Sequence, residues 1–244
     1  MRIETLETAE AVAQAAAVFT AEEARAAVAA RGRFNLGLSG GRTPWAMLRV
    51  LVDLPMPWAQ VCIVQVDERV APAGDAERNL THLRESLLDR VPLRPGQFHA
   101  MPVEFGDLHR ASQGYCLALR QVAGTPPVLD LVHLGLGADG HTASLVPGDP
   151  VLEVTGADVA VTGVYQGRRR MTLTYPMLNR SRRILWLVTG AEKAEALGKL
   201  CGGDRSIPAG RINRDQAVVL ADREAFQGAA DGFFRSEGGE AVCR

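Results

Sequence analysis

The segment Gly135-Leu136-Gly137-Ala138-Asp139-Gly140-His141-Thr142-Ala143-Ser144 follows the apolar run Leu129 to Leu134 and sets an aspartate two residues before a histidine in a glycine-rich turn. Two chemistries fit it. Gly135, Gly137 and Gly140 match GxGxxG, the turn that brings a backbone against a dinucleotide pyrophosphate. Alternatively, Asp139 orients His141, whose imidazole can take and return a proton near neutral pH. Pro147 comes only seven residues after Gly140 and leaves little of the helix a dinucleotide loop needs, and Asp158 precedes the next β-like run instead of following it. The catalytic-loop reading is preferred, with His141 as the working residue. His82, His99, His109 and His133 lack such surroundings and are assigned structural places.

Further segments offer anion chemistry. In Ser39-Gly40-Gly41-Arg42-Thr43-Pro44 two glycines permit close backbone approach, Thr43 can cap a helix, and Pro44 suits that helix's first position. The free amides of such a helix start would cradle an anion; a simple tight turn is the alternative, and the GxxxxGK[ST] spacing of a nucleotide P-loop is absent. Asp67-Glu68-Arg69 places three charges after an apolar run, either as solvated surface or with one carboxylate turned inward and the guanidinium sent to a ligand. A metal would want further clustered ligands, which the sequence does not show. Arg168, Arg169 and Arg170 each carry a group that can grip a phosphate through two parallel hydrogen bonds. A nucleic-acid patch joined by Arg180, Arg182 and Arg183 is the rival, weakened by the near-neutral total charge and the lack of interleaved aromatics. Lys193 falls near the start of an expected helix, where the helix dipole opposes a cation; that placement hints at a ligand, while an exposed lysine is the simpler reading.

The elements that must position these residues follow from periodicity. Leu6 to Ala30 holds no Pro or Gly and many Ala, so a long helix is expected, followed by a short strand at Arg33 to Leu38 and a helix from Pro44. Val61 to Val66, Leu129 to Leu134, Ile184 to Val188 and Ala217 to Leu220 are short apolar runs bounded by turn or charged residues, as buried parallel strands are. Leu80, Leu83, Leu87 and Leu88 recur at helical spacing, and Ala191 to Leu200 has good helix propensity. This alternation predicts a doubly wound, mostly parallel α/β sheet flanked by helices, in one domain spanning residues 1–244. Ligands of such sheets collect beyond the carboxyl ends of the strands, where the four polar segments above begin.

Composition limits the alternatives. A chain of 244 residues, 47% hydrophobic and 23% charged with a formal net charge of −1, can bury a large core and offers no global attraction to nucleic acid or to an acidic membrane. Cys62, Cys116, Cys201 and Cys243 show no CxxC pair and no metal-ligand spacing, which fits a reducing cytoplasm. No run approaches the roughly 20 apolar residues that cross a bilayer, and the acidic start does not resemble a secretory signal. No repeat is found, and a Gly/Glu-containing tail closes the chain.

The motifs LSGGRTP at 38–44, DER at 67–69 with Asn79 downstream, LGLGADGHTASLVPG at 134–148, RMTLTYPMLN at 170–179 and VTGAEKAEAL at 188–197 occur in the order seen in the 6-phosphogluconolactonase family. The chain resembles that family along nearly its whole length, within the superfamily that includes glucosamine-6-phosphate deaminase. Val146 stands where the lactonase pattern usually has Phe, and Arg78 where it usually has Ser. The deaminase pattern places a catalytic glutamate five residues after the histidine, and here that position is Val146.

The resemblance implies a Rossmann-like, phosphosugar isomerase/deaminase-like fold. It also implies hydrolysis of 6-phospho-D-glucono-1,5-lactone to 6-phospho-D-gluconate, without metal or organic cofactor. A cytoplasmic monomer or weak homo-oligomer is expected. On that substrate His141 acts as general base and acid, Asp139 orients it, and loop amides or Arg69 stabilise the oxyanion. Ser39, Gly40, Gly41, Arg42, Asp67, Arg170 and Lys193 bind the substrate and its phosphate, with Arg170 preferred over its two neighbours because it aligns immediately before the MTLT run. The alternatives are a deaminase-like or isomerase-like enzyme and a non-catalytic sugar-phosphate sensor.

Overall fold

The structure is a computed structural model and describes residues 1–229, 234–237 and 240–243. Its strands are β1 (Arg2–Leu6), β2 (Phe34–Leu38), β3 (Val61–Gln65), β4 (Asp67–Arg69), β5 (Phe98–His99), β6 (Leu131–Gly135), β7 (Val159–Val161), β8 (Arg170–Leu173), β9 (Ile184–Val188), β10 (Ala217–Asp222), β11 (Phe234–Glu237) and β12 (Glu240–Cys243). The α-helices are α1 (Ala9–Arg31), α2 (Arg42–Leu51), α3 (Asn79–Ser86), α4 (Leu108–Ala123), α5 (Tyr175–Asn179), α6 (Ala194–Gly202) and α7 (Arg223–Gln227). The Gly/Glu-containing tail lies partly outside the described residues.

The five apolar runs of the sequence occupy neighbouring places in one sheet of order β11-β12-β1-β10-β9-β6-β2-β3-β5. From β1 to β5 every pairing is parallel, and β12 and β11 close one edge antiparallel. Alternation along each strand feeds two cores. In β9, Ile184, Trp186 and Val188 face α4, α5 and α6, while Leu185 and Leu187 face α1, α2 and α3. Helices on both faces make the fold doubly wound.

Two expectations are corrected. The first helix does not start at Leu6: Arg2–Leu6 pairs with β10, and Thr8 caps α1 by accepting the Ala11 N–H at 3.2 Å. Only Ile3 of that strand is fully buried, so its other residues carry no apolar signal. The Asp67-Glu68-Arg69 segment is a strand instead of a loop, paired antiparallel to β8 in a small sheet of order β4-β8-β7. Val66 joins the two sheets, donating to Leu38 O at 2.9 Å and accepting from Leu173 N–H at 2.8 Å.

Of the three charges, Glu68 is structural. Its buried carboxylate accepts the Asn79 and Leu80 amides at the start of α3, both at 2.8 Å, and Gln65 Nε2 at 3.0 Å, with Arg78 Nε 3.5 Å away. A carboxylate is favoured there because first-turn amides lack intrahelical partners and carry the positive end of the helix dipole. Arg180, Arg182 and Arg183 are engaged with Asp158, Asp130 and Glu23, which leaves no free basic patch at that site.

The chain leaves β2 toward β3 on one side, and leaves β6 toward β9 on the other. β2 and β6 are neighbours, so their C-terminal loops diverge and open a crevice, the position where such sheets bind ligands.

His133, on β6 beneath that crevice, has 1% of its surface exposed. Burial pushes its pKa down to about 4, against the opposing pull of the Asp67 charge. The unfolded histidine titrates near 6.5. Between those values the unfolded chain holds a proton that the folded chain does not. Stability is therefore full above about pH 6.5 and is lost by up to about 1.4 kcal/mol per pH unit as pH falls toward 4. Urea unfolding at pH 7 and pH 5 is expected to show a smaller loss in a His133→Leu variant than in the wild type; equal losses would refute the assignment.

Candidate active site

The loop after β2 turns at Gly41, whose φ of +137° is a conformation that favours glycine. Gly41, not Thr43, is the N-cap of α2, and no side chain caps it. Pro44 is the third helical residue, where a missing N–H costs no intrahelical bond. The Thr43 hydroxyl instead meets that of Thr189 at 2.7 Å, tying this loop to the one after β9. A Cβ on Gly40 would overlap the Asn79 side-chain amide, so the loop lies directly against α3. The uncapped α2 start leaves backbone donors facing the crevice, an arrangement suited to an anion.

In the loop after β6, Gly137 N–H donates to His141 O at 2.8 Å and Gly140 N–H to Gly137 O at 3.0 Å. This tight turn brings His141 Nδ1 within 2.6 Å of Asp139 Oδ1. A Cβ on Gly137 would overlap both the His141 ring and the Asp139 carboxylate. The second carboxylate oxygen accepts the Tyr165 hydroxyl at 2.9 Å, and the Tyr165 ring packs edge-on to His141 with centroids 5.6 Å apart. Burial raises the Asp139 pKa, but the charge and hydrogen bonds of His141 and the Tyr165 donor outweigh it, and the net shift is downward. Asp139 is thus ionised at neutral pH and accepts from Nδ1, which leaves Nε2 as the ring nitrogen that Asp139 does not engage.

The arginine triplet separates by strand geometry. Arg168 is engaged with Glu77 and with Asp75 at 3.1 Å, and Arg169 is exposed. Arg170 is buried, with its guanidinium 4.9 Å from the centre of the Tyr165 ring and Nη2 donating to Gln166 Oε1 at 3.1 Å. Burial and then the like charge of Arg69 push the Arg170 pKa down, the effect of two cations facing one space. Arg69 Nη1 already donates to Asn79 Oδ1 at 2.6 Å and to Glu77 O at 2.8 Å. Asp67 is a brace: its oxygens accept the Ser39 hydroxyl at 2.7 Å and the Ser144 hydroxyl at 2.8 Å, joining the β2 and β6 loops.

Ser39, Gly40, Gly41, Arg42, Asp67, Arg69, His141, Arg170 and Lys193 line one cleft of about 270 Å³, and Asp139 stands directly behind His141. All ten sequence-predicted residues therefore converge. The volume lies just under the range of about 300–1,000 Å³ typical of drug-sized ligand sites, which suits a phosphorylated monosaccharide better than a dinucleotide. Tyr165, Ser144 and Thr189 belong to the site and were missed. Gln166 (φ +51°) and Gly167 (φ +79°) turn the hairpin that delivers Tyr165; a Gln-Gly pair between β-like runs is the signal that could have found it. Among the described residues, no group of three or more His, Cys, Asp or Glu is placed to hold a metal ion.

Residues 7–220 match the family model for glucosamine-6-phosphate isomerases/6-phosphogluconolactonase. The 6-phosphogluconolactonase of Mycobacterium tuberculosis is 39% identical over 214 residues, covering 82% of this chain and 87% of that protein. The crystal structure of 6-phosphogluconolactonase from Thermotoga maritima matches with a TM-score of 0.81 at 25% identity, covering 91% of this chain and 98% of the other. A monomeric glucosamine-6-phosphate deaminase also reaches a TM-score of 0.81, at 23% identity over 93% of this chain and 99% of its own, a likeness of fold alone. With a family model spanning most of its length and a relative this similar, the chain belongs to the glucosamine-6-phosphate isomerase/6-phosphogluconolactonase family.

Proposed function

We propose that the chain hydrolyses 6-phospho-D-glucono-1,5-lactone to 6-phospho-D-gluconate in the oxidative pentose phosphate pathway, as one catalytic domain of residues 1–244. The observation that carries the reading is the Asp139–His141 contact at 2.6 Å, with Nε2 unengaged, in a cleft whose other wall is the open start of α2 with Arg170 and Lys193. His141 Nε2 takes a proton from water as the water oxygen attacks the lactone carbonyl carbon, and the carbonyl electrons move onto oxygen. The imidazolium, steadied by Asp139, returns that proton to the ring oxygen as the carbon–oxygen bond breaks. The phosphate lies on the Ser39–Arg42 turn with Arg170 and Lys193, and Asp67 holds the two loops at their working separation. Arg69 and the amides of the cleft carry the charge that develops on the carbonyl oxygen.

The deaminase shares the fold, so the fold does not choose between the two reactions. The side chain at 146 does: Val146 is apolar and buried, and supplies no acid five residues after His141. The unbridged thiols of Cys62 and Cys116 support a cytoplasmic reading, and a monomer or weak homo-oligomer is proposed with it. Among the described residues no helix is long and apolar enough to cross a membrane. The test is a stopped assay on freshly generated lactone, corrected for spontaneous hydrolysis, beside an ammonia-release assay on glucosamine 6-phosphate. Turnover of the first alone is expected; ammonia release without lactone hydrolysis would overturn the reading.

A further inference from the structure

Tyr165 stands between the two halves of the cleft. Its hydroxyl donates to Asp139 at 2.9 Å, on the oxygen that His141 does not use, and its ring lies under the Arg170 guanidinium at 4.9 Å and edge-on to His141 at 5.6 Å. The hairpin that carries it is held from both sides. Arg170 N–H donates to Thr162 Oγ1 at 3.0 Å, Tyr165 and Arg168 pair across the turn, and Arg168 reaches Asp75 and Glu77 in the loop before α3. A tyrosine of mere surface packing would satisfy none of these directional contacts.

We propose that Tyr165 is a positioning residue that couples the phosphate grip to the proton-transfer pair, its hydroxyl fixing the Asp139 carboxylate and its ring seating Arg170. The proposal rests on the lactonase reading given above. Without the hydroxyl, Asp139 is held through Oδ1 alone, by the His141 ring and backbone N–H, and loses the donor on Oδ2 to its charged form, so its pKa rises. Without the ring, Arg170 loses the face it lies against and keeps only the Gln166 contact, so the substrate phosphate must supply more of its ordering.

The two contributions separate in two variants. Tyr165→Phe keeps the ring and is expected to lower kcat about tenfold with KM within about twofold, the scale for losing one hydrogen bond to a charged group. Titration of the Asp139 carboxylate by carbon NMR in the free protein is expected to move upward by about half a pH unit. Its charged neighbours are the same in both proteins: His141 on its own loop, Arg170 on β8, and Arg42, Asp67, Arg69, Glu192 and Lys193 around the cleft. Tyr165→Leu is expected to show the same fall in kcat and, in addition, a KM raised about fivefold or more.

An unmoved Asp139 titration with wild-type kcat in Tyr165→Phe overturns the hydroxyl's role. A KM in Tyr165→Leu equal to that of Tyr165→Phe overturns the ring's role. The carboxylate titration needs no turnover, so wild-type protein inactive on the lactone refutes the functional reading, while the titration still decides whether Tyr165 fixes Asp139.

Discussion

His141→Ala is expected to lower kcat by about 10²- to 10⁴-fold, the usual range for a positioned general acid and base, with KM little changed. Its Nδ1 is occupied by Asp139, so the alanine variant loses the one imidazole at the cleft wall while leaving Arg170, Lys193 and the α2 start in place. The side chain is a quarter exposed and belongs to neither hydrophobic core. The variant should therefore fold, with stability lowered by about 1.5 kcal/mol for the lost hydrogen bond to the Asp139 carboxylate. A stopped assay on fresh lactone against the spontaneous rate measures the effect. Near-normal turnover in a folded variant would remove His141 from the mechanism and leave no other imidazole in the cleft to take its place.

The strands that carry the site were legible because buried parallel strands read as continuous apolar runs, and these five sit side by side at the centre of the sheet. β1 was not, because Arg2, Glu4 and Thr5 hide a strand whose burial rests on Ile3. β4 was not, because its three charges read as solvent-facing. They are held inside by partners brought from far along the chain: Ser39 and Ser144 on Asp67, the α3 amides on Glu68, and Asn79 on Arg69. Candidate site residues were legible for a related reason, since glycines and charges gathered at the carboxyl ends of the strands mark where an open sheet binds ligands. Their division of labour was not. Three consecutive arginines look alike in sequence, and only the β4–β8 register sends Arg170 inward; Tyr165 reaches Asp139 only through the turn at Gln166 and Gly167.

Removing the charge of Arg170 is expected to act on binding, not chemistry. Arg170→Met keeps the stem and loses the guanidinium; KM should rise about 30-fold or more while kcat stays within about threefold, as when one partner of a buried charge pair is truncated. The fold should tolerate the change, because burial and the neighbouring Arg69 already disfavour a charge there and the variant relieves both. Arg169→Ala and Arg168→Ala should leave KM within about twofold, since the first is exposed and the second is spent on Asp75 and Glu77 at the surface. Two further measurements separate a phosphate grip from an oxyanion contact. Inorganic phosphate should inhibit the wild type competitively and weaken against Arg170→Met by the same factor as KM. Gluconolactone without its phosphate should be hydrolysed equally by both proteins. If kcat falls while KM and phosphate inhibition hold, Arg170 serves the carbonyl oxygen, and the phosphate must rest on Lys193 and the α2 start alone.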